Sequence, residues 1–311
     1  MTVCGILLAF AASPAQAQSC TFSISNISFG NIDVTLNTPY TATATFTANC
    51  TGLNNRRVRI CPNIGSGTGD PVAYDPRKLA NGATRLSYNL FSDSGYSTIW
   101  GSNLWPFPPT PPELVLRLPP AGSGTVSATI YAQIPAGQQT LPALTYTSSF
   151  AGGHTAISYA YTAVGNCSAI GAMNAVQVPF TVSATNVAAC RVTAADLDFG
   201  TVANLTSNVD QSGSASITCT NQSTYRVLLD DGLTGTGPTD RRMTLGANDV
   251  TYGLYRDAAR TLAWGDTSGV NSLAGTGTGT AQTVPIHGRV PPQTMPSPGT
   301  YSDTIVMTVE Y

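Results

Sequence analysis

LSYNLFSDSGYSTIWG, residues 86–101, and VTYGLYRDAARTLAWG, residues 250–265, are two copies of one segment. Aligned without a gap, Tyr88 falls on Tyr252, Leu90 on Leu254, Asp93 on Asp257 and Trp100 on Trp264. The register extends outward. Cys20 opens a segment ending in ISFGNI, and Cys190 opens one ending in LDFGTV. Cys50 and Cys219 follow their partners by thirty and twenty-nine residues. A repeat of this length predicts two domains of one fold. The first copy runs on into one more strand, and the second stops at Tyr311.

The spacing of apolar residues is that of strands. Residues 41–47 read TATATFT, residues 125–131 read TVSATIY, and residues 304–311 read TIVMTVEY. Such alternation suits half-buried antiparallel strands. No stretch has a sustained helical stripe. The expected fold is all-β: two β-sandwiches in tandem, residues 18–186 and 187–311. Residues 1–17 read as a signal peptide, with a short apolar run and Ala15-Gln16-Ala17 before the cleavage point. Arg77-Lys78-Leu79 aligns with Arg241-Arg242-Met243. Each reads as a solvated strand start with one inward apolar side chain.

Cys4 leaves with the signal, and six cysteines remain, which allow fifteen pairings. The repeat narrows them. Cys20–Cys50 and Cys190–Cys219 occupy equivalent positions, and Cys61–Cys167 is the remaining pair. A bridge closing about thirty residues adds roughly 3–4 kcal/mol on the chain-entropy account. Disulfides also imply an oxidising compartment.

Only 10% of residues are charged and the net charge is −2, a poor match to a nucleic-acid binder. His154 and His287 are the two histidines, and neither sits in a catalytic motif. No nucleophile elbow, zincin motif or phosphate loop is present. No cysteine–histidine spacing suits a metal. The reading is therefore not an enzyme, with no cofactor and no metal.

Taken in order, these features resemble the spore coat protein U domain: a Cys before an FG turn, a second Cys some thirty residues on, R-x-[LM], Y-x-L-[FY]-x-D…WG, and a closing GTYSDTIVMTVEY. The resemblance covers both halves. It implies immunoglobulin-like, pilin-type sandwiches of the archaic chaperone–usher pili. Such a sandwich lacks its last strand and takes one by strand addition at a sheet edge. It also implies a periplasmic pilus chaperone, an outer-membrane usher and an adjacent pilin that donates a strand. Export through the periplasm to the cell surface would follow.

On that reading the two copies differ in how they are finished. Val178, Phe180, Val182 and Ala184 alternate with polar residues, and Pro179 is tolerable only at the start of a strand. Residues 178–186 are expected to complete the first sandwich in cis; an ordinary interdomain strand is the alternative. In the second copy Ile305, Met307, Val309 and Tyr311 point one way, and an open groove is expected beside this terminal strand. Only Gln18 and Ser19 precede Cys20 after cleavage, so the subunit is expected to accept a strand and donate none, which fits the distal tip.

The segments of the first copy without a counterpart are candidates for adhesion. They carry Leu104, Trp105 and Phe107 in a proline-rich loop, Val72 and Tyr74 in the loop after Asn63, and Ile170 and Met173 beyond Cys167. The expected function is a pilus tip adhesin for abiotic or host surfaces and biofilm formation. The alternatives are a structural coat or biofilm-matrix protein and a carbohydrate-binding tip. For Trp105 and Phe107 the alternative is a minor core against the sandwich.

Overall fold

A computed structural model describes residues 17–52, 54–104, 110–162 and 165–311. The signal-peptide reading of residues 1–16 and the side chains of Trp105 and Phe107 lie outside the described residues. Among the described residues the regular secondary structure of the chain is almost entirely strand. Its first half contains β1 (Ser19–Ile24), β2 (Ile27–Ile32), β3 (Tyr40–Thr51), β4 (Arg57–Pro62), β5 (Arg77–Asn81), β6 (Thr84–Phe91), β7 (Leu114–Arg117), β8 (Ser123–Ile134), β9 (Thr145–Phe150), β10 (Ala156–Ala160), β11 (Val176–Gln177) and β12 (Phe180–Asn186). A four-residue helix, α1 (Cys167–Ile170), precedes β11. The second half contains β13 (Cys190–Ala194), β14 (Val209–Cys219), β15 (Thr224–Leu229), β16 (Arg241–Leu245), β17 (Asn248–Tyr255), β18 (Leu273–Thr276), β19 (Gln282–Val290) and β20 (Met307–Glu310).

Alternation along each strand decides what enters the core. In β3, Ala44, Phe46 and Ala48 are buried while Thr43 and Thr45 face water. An eight-stranded sheet in the order β1-β3-β8-β6-β5-β9-β12-β2 faces a four-stranded sheet in the order β11-β10-β4-β7. The end strands of the larger sheet, β1 and β2, are consecutive in the chain. The second half repeats the plan with fewer strands: β13-β14-β19-β17-β16 against β18-β15-β20. Each half has its own apolar core, and the two share no residue.

Three disulfides join Cys20 to Cys50, Cys61 to Cys167 and Cys190 to Cys219. Two of them link directly opposed residues of neighbouring strands, β1 with β3 and β13 with β14. The bridge from Cys61 to Cys167 pins α1 on the outer face of β4 and β10, where Ala160 and Ile170 join it in a small satellite core. Ile170 is only 5% exposed. Its reading as a loop tip is therefore corrected: the disulfide draws the residue inward.

The arginine segments also depart from the sequence reading. Arg77 and Arg241 are not solvated but fully enclosed, at 1% and 0% exposure. Arg77 donates to the carbonyls of Gly65, Ile64 and Trp100 at 2.7, 2.8 and 2.6 Å, and to Asn89 Oδ1 at 2.6 Å. Arg241 donates to the carbonyls of Asp230, Leu229 and Trp264 at 2.8, 3.2 and 2.7 Å. The equivalent tryptophans donate Nε1 to Pro62 O at 2.8 Å and to Val227 O at 2.9 Å. Each sandwich thus ties the loop that leaves one sheet to the strand end of the other through one planar, five-donor cation. Burial lowers the Arg77 pKa to about 10, offset in part by Tyr88 and Asp75.

Asp93 and Asp257 close the turn after β6 and the turn after β17. Asp93 Oδ1 accepts from Thr98 N at 2.6 Å, and Asp257 Oδ1 from Leu262 N at 2.7 Å. These backbone donors hold both carboxyls below their ordinary pKa. A carboxyl depressed in the folded state stabilises it above the unfolded pKa and loses that effect as pH falls through the folded value. Melting temperature should therefore drop more steeply below about pH 4 in the parent than in the Asp93→Asn, Asp257→Asn double variant. Parallel curves would remove these turns from the acid response. Arg77→Met should destabilise the N-terminal sandwich by roughly 3 kcal/mol or more, because several buried acceptors lose their donor together. Thermal unfolding that is unchanged by this substitution would mean that the clamp is dispensable.

Candidate functional site

β12 fills a seam in the N-terminal sandwich. It pairs antiparallel with β9, from Phe180 opposite Phe150 to Thr185 opposite Thr145. On its other side it runs parallel to β2, from Val182 opposite Ile27 to Asn186 opposite Ile32, with a bulge between Ser183 and Thr185. Both edges are satisfied by one segment. Phe180, Val182 and Ala184 are buried to 3%, 0% and 2% exposure, and Val178 just ahead of the strand to 8%. The Phe180 ring stacks on Phe150 with centroids 4.4 Å apart. Pro179 precedes the strand, where its missing N–H costs no ladder bond.

The repeat locates the same seam in the second half. Residues 197–202 correspond to β2, residues 299–305 to β9, and Met243 to Leu79. The bridge of Thr244 with Ser302 matches that of Ala80 with Thr147, which fixes the correspondence. Among the described residues no strand lies between 197–202 and 299–305, and neither segment belongs to a named sheet. A groove of ≈ 530 Å³ occupies the space, lined by Leu197, Phe199, Val202, Met243, Met295 and Tyr301 among others.

Exposure reports the same difference residue by residue. Ile27, Ile32, Leu79, Tyr146 and Phe150 are each at most 1% exposed. Their counterparts Leu197, Val202, Met243, Tyr301 and Ile305 are all half-buried. Five matched positions, dry in one copy and wetted in the other, are what removing one strand from an otherwise equal sandwich produces.

The segment that matches β9 carries an acidic residue where β9 has none. Asp303 stands where the first copy has the fully buried Ser148. Its Oδ2 accepts from the Tyr252 hydroxyl at 2.8 Å, and its Oδ1 accepts from Leu233 N at 2.9 Å. Burial, then the bond to Asp303, pushes the Tyr252 hydroxyl far above its ordinary pKa. The nearby Arg241 is held below its ordinary value, chiefly by burial. In the first copy Val182 sits opposite Ser148. A strand in the groove would place its corresponding side chain over Asp303.

The sequence placed the groove beside the terminal strand, and the structure shifts it. β20 is paired with β15, and Ile305, Met307 and Val309 pack on the core. Tyr311 is 62% exposed and borders a separate hollow on the outer sheet face with Arg226 and Glu310. Of the four, Ile305 alone stands at the seam, at the position where the first copy stacks Phe150 on Phe180. The open edge lies one segment earlier because residues 299–310 cross from one sheet to the other, as β9 and β10 do. Of the lining residues, Leu197, Phe199 and Val202 belong to the LDFGTV segment that matches ISFGNI, and Met243 is the inward side chain after Arg241-Arg242.

The proposed adhesive residues do not form one cluster of bonds. Val72 is 72% exposed, Met173 is 54% exposed, and Leu104 and Tyr74 are half-buried. They lie on separately anchored segments. Asn63 Oδ1 receives Asn103 N at 2.8 Å and so holds the loop of Leu104. Thr68 N donates to Ser149 O at 3.0 Å, fixing the loop of Val72. Tyr159 N donates to Met173 O at 3.1 Å. Among the described residues no cluster of potential metal ligands is found, and no helix is long and apolar enough to cross a membrane.

The chain is similar to several known proteins. The profile of the Spore Coat Protein U domain matches residues 6–152 and 176–308. Protein U of Myxococcus xanthus is 39% identical over 129 residues, covering 37% of this chain and 71% of that protein. The fold resembles the crystal structure of the CsuC–CsuE chaperone–tip adhesion subunit pre-assembly complex from archaic chaperone–usher Csu pili of Acinetobacter baumannii. That likeness has a TM-score of 0.57 at 16% identity, over 94% of this chain and 100% of that chain. The CupB6 tip adhesin of Pseudomonas aeruginosa gives a TM-score of 0.39 at 11% identity, over 95% of each chain.

Tyr146 and Tyr301 provide a matched pair of probes. Their hydroxyls donate to the carbonyl four residues earlier, at 3.0 and 2.7 Å. Tyr146→Ala should cost about 3–5 kcal/mol, as for a large ring removed from a packed core. Tyr301→Ala should cost clearly less, because that ring already meets water. Equal losses in the two unfolding transitions would mean that the second seam is closed.

Proposed function

Because the chain belongs to the Spore Coat Protein U domain family, we propose that it is the tip adhesin of a chaperone–usher pilus, docked to the shaft by a strand inserted between residues 197–202 and 299–305. The observation that carries this reading is the contrast between the seams. One sandwich holds its own completing strand, Val178–Asn186, and the other presents the same site empty of any strand among the described residues. The family's fold is that of structural subunits rather than enzymes. A half-open core with two unpaired edges is a template for a further strand, and its exposed apolar lining favours one.

The filled copy also predicts what the groove accepts. Phe180 lies opposite Phe150, Val182 opposite Ser148 and Ala184 opposite Tyr146. By correspondence the donor runs antiparallel to residues 299–305. It brings a bulky side chain toward Ile305, a β-branched one across from Asp303, and a small one beside Tyr301. A periplasmic chaperone would cover the same edge before assembly, an usher would pass the subunit outward, and an adjacent pilin would supply the permanent strand. The N-terminal sandwich, already completed, is then free to meet an abiotic or host surface, with Val72, Tyr74, Leu104 and Met173 on its loops.

The test is a melting experiment on the mature chain with a synthetic peptide of residues 178–186. The peptide should raise the transition of the C-terminal sandwich and leave that of the N-terminal one unchanged. At a hundredfold excess over Kd the gain is about 2.7 kcal/mol. The same peptide carrying Phe180→Asp and Val182→Asp should have no effect. If neither this peptide nor the N-terminal extensions of neighbouring pilins shift that transition, strand docking is wrong.

A further inference from the structure

One tip of the N-terminal sandwich carries four consecutive polar residues, Asn54, Asn55, Arg56 and Arg57, all exposed. Arg57 opens β4 and lies directly opposite Arg117, which closes β7 and is also exposed. Like charges directly opposite on one sheet face destabilise a strand pair. The backbone nonetheless holds them there: Leu118 N donates to Arg56 O at 2.9 Å, and Asn55 N to Leu118 O at 3.1 Å.

These arginines are exceptional in this chain. It has 14 lysines and arginines. Ten of them bond an acid, a hydroxyl, an amide or a backbone carbonyl, as Arg59 does with Glu113 and Arg289 with Asp210. An eleventh, Arg226, stands opposite Glu310. Arg56, Arg57 and Arg117 alone have neither a side-chain bond nor a facing acid among the described residues. The acidic residue nearest to Arg117 in sequence, Glu113, is committed to Arg59. Residues 18–186 hold 7 basic and 5 acidic residues, a net +2, and residues 187–311 hold 7 and 11, a net −4.

Position adds to the argument. The three arginines follow the Thr51 end of β3, where Thr51 faces Ser123 and Gly52 N bonds Gly122 O at 2.8 Å. The chain leaves this sandwich at the opposite end, where Asn186 faces Ile32. The 12-residue β3 separates the two ends by roughly 35 Å. The surplus positive charge therefore sits at the far end of the sandwich from the segment that leads to the docking groove.

We propose that Arg56, Arg57 and Arg117, with Asn54 and Asn55, form a binding site for an anionic polysaccharide. Guanidinium groups pair with sulfate, phosphate or carboxylate through two parallel N–H bonds. The adjacent amides can both donate to and accept from sugar hydroxyls. Three charges at one tip, with no basic stripe leading away, favour a carbohydrate over a duplex nucleic acid. The proposal rests on the N-terminal sandwich being the surface-contacting part. Its test reads binding alone, so failure here leaves strand docking untouched.

The experiment measures retention and affinity of the mature chain on immobilised heparin-type sulfated polysaccharide, polyuronate and neutral dextran. The parent should bind the anionic polymers and not dextran, and should release as salt rises. The triple variant Arg56→Gln, Arg57→Gln, Arg117→Gln should bind at least about tenfold more weakly, the loss of roughly one charge-assisted contact or more. Arg85→Gln, an exposed arginine elsewhere on the sandwich, should behave as the parent. The sulfated and uronate arms decide which anion is preferred. As a fold control, Arg57→Gln alone should keep or slightly raise the melting temperature by relieving its repulsion from Arg117. Equal affinity of parent and triple variant, or no binding by the parent to either anionic polymer, overturns the site. Duplex DNA competing as well as polysaccharide at equal charge overturns the carbohydrate assignment.

Discussion

An immunoglobulin-like sandwich has a seam that its own sheets cannot close. Between the strand that begins the fold and the strand that ends it lie two facing backbone edges above apolar side chains. Every N–H and C=O on those edges must find a partner or face water. In the first half of this chain β12 meets both edges at once, and Ile27, Tyr146 and Phe150 go dry beneath it. In the second half the same edges remain apart, and the equivalent side chains stay half-wetted. The architecture, the exposure differences and the proposed role in assembly all follow from whether this seam is filled.

A sandwich with an open seam has to be held by something else. The duplicated arginine and tryptophan supply part of that hold. Arg241 and Trp264 gather carbonyls from the end of β15, the following loop and Trp264 itself without help from any strand in the seam. The Cys190–Cys219 bridge fixes β13 to β14 on the far side of the same sheet. Both devices recur in the filled copy, so they belong to the fold and not to its completion. This is why the open copy can keep the geometry that a donor strand would need.

The two ends of the molecule differ chemically as well as topologically. The groove has a mainly apolar lining, with Asp198 as the carboxylate residue among those that line it. The opposite end of the first sandwich presents three arginines without a side-chain partner among the described residues, beside two asparagines. An apolar groove selects a strand by shape and alternation, whereas an exposed basic tip selects by charge and is tuned by salt.

Much of this was legible in the sequence. The all-β class followed from alternation, since a period of two admits only strands. The duplication followed from Tyr88, Leu90 and Trp100 recurring at 252, 254 and 264, and burial of β12 followed the alternation of Phe180, Val182 and Ala184. What was not legible involved partners distant in the chain. Arg77 reads as a surface residue because its neighbours are polar, yet its acceptors are Ile64, Gly65 and Trp100, which only folding brings together. Ile170 reads as a loop tip, but its disulfide neighbour is drawn onto β4. The groove lies one segment before the terminal strand, with Ile305 at its seam, and periodicity says which side of a strand is apolar and not which edge lacks a neighbour. Sequence alone determined the strands, their repeat and their inward faces, since those depend on local alternation. Tertiary structure alone decided which edge stays open and which cations are buried, since both depend on residues far apart in the chain meeting across two sheets.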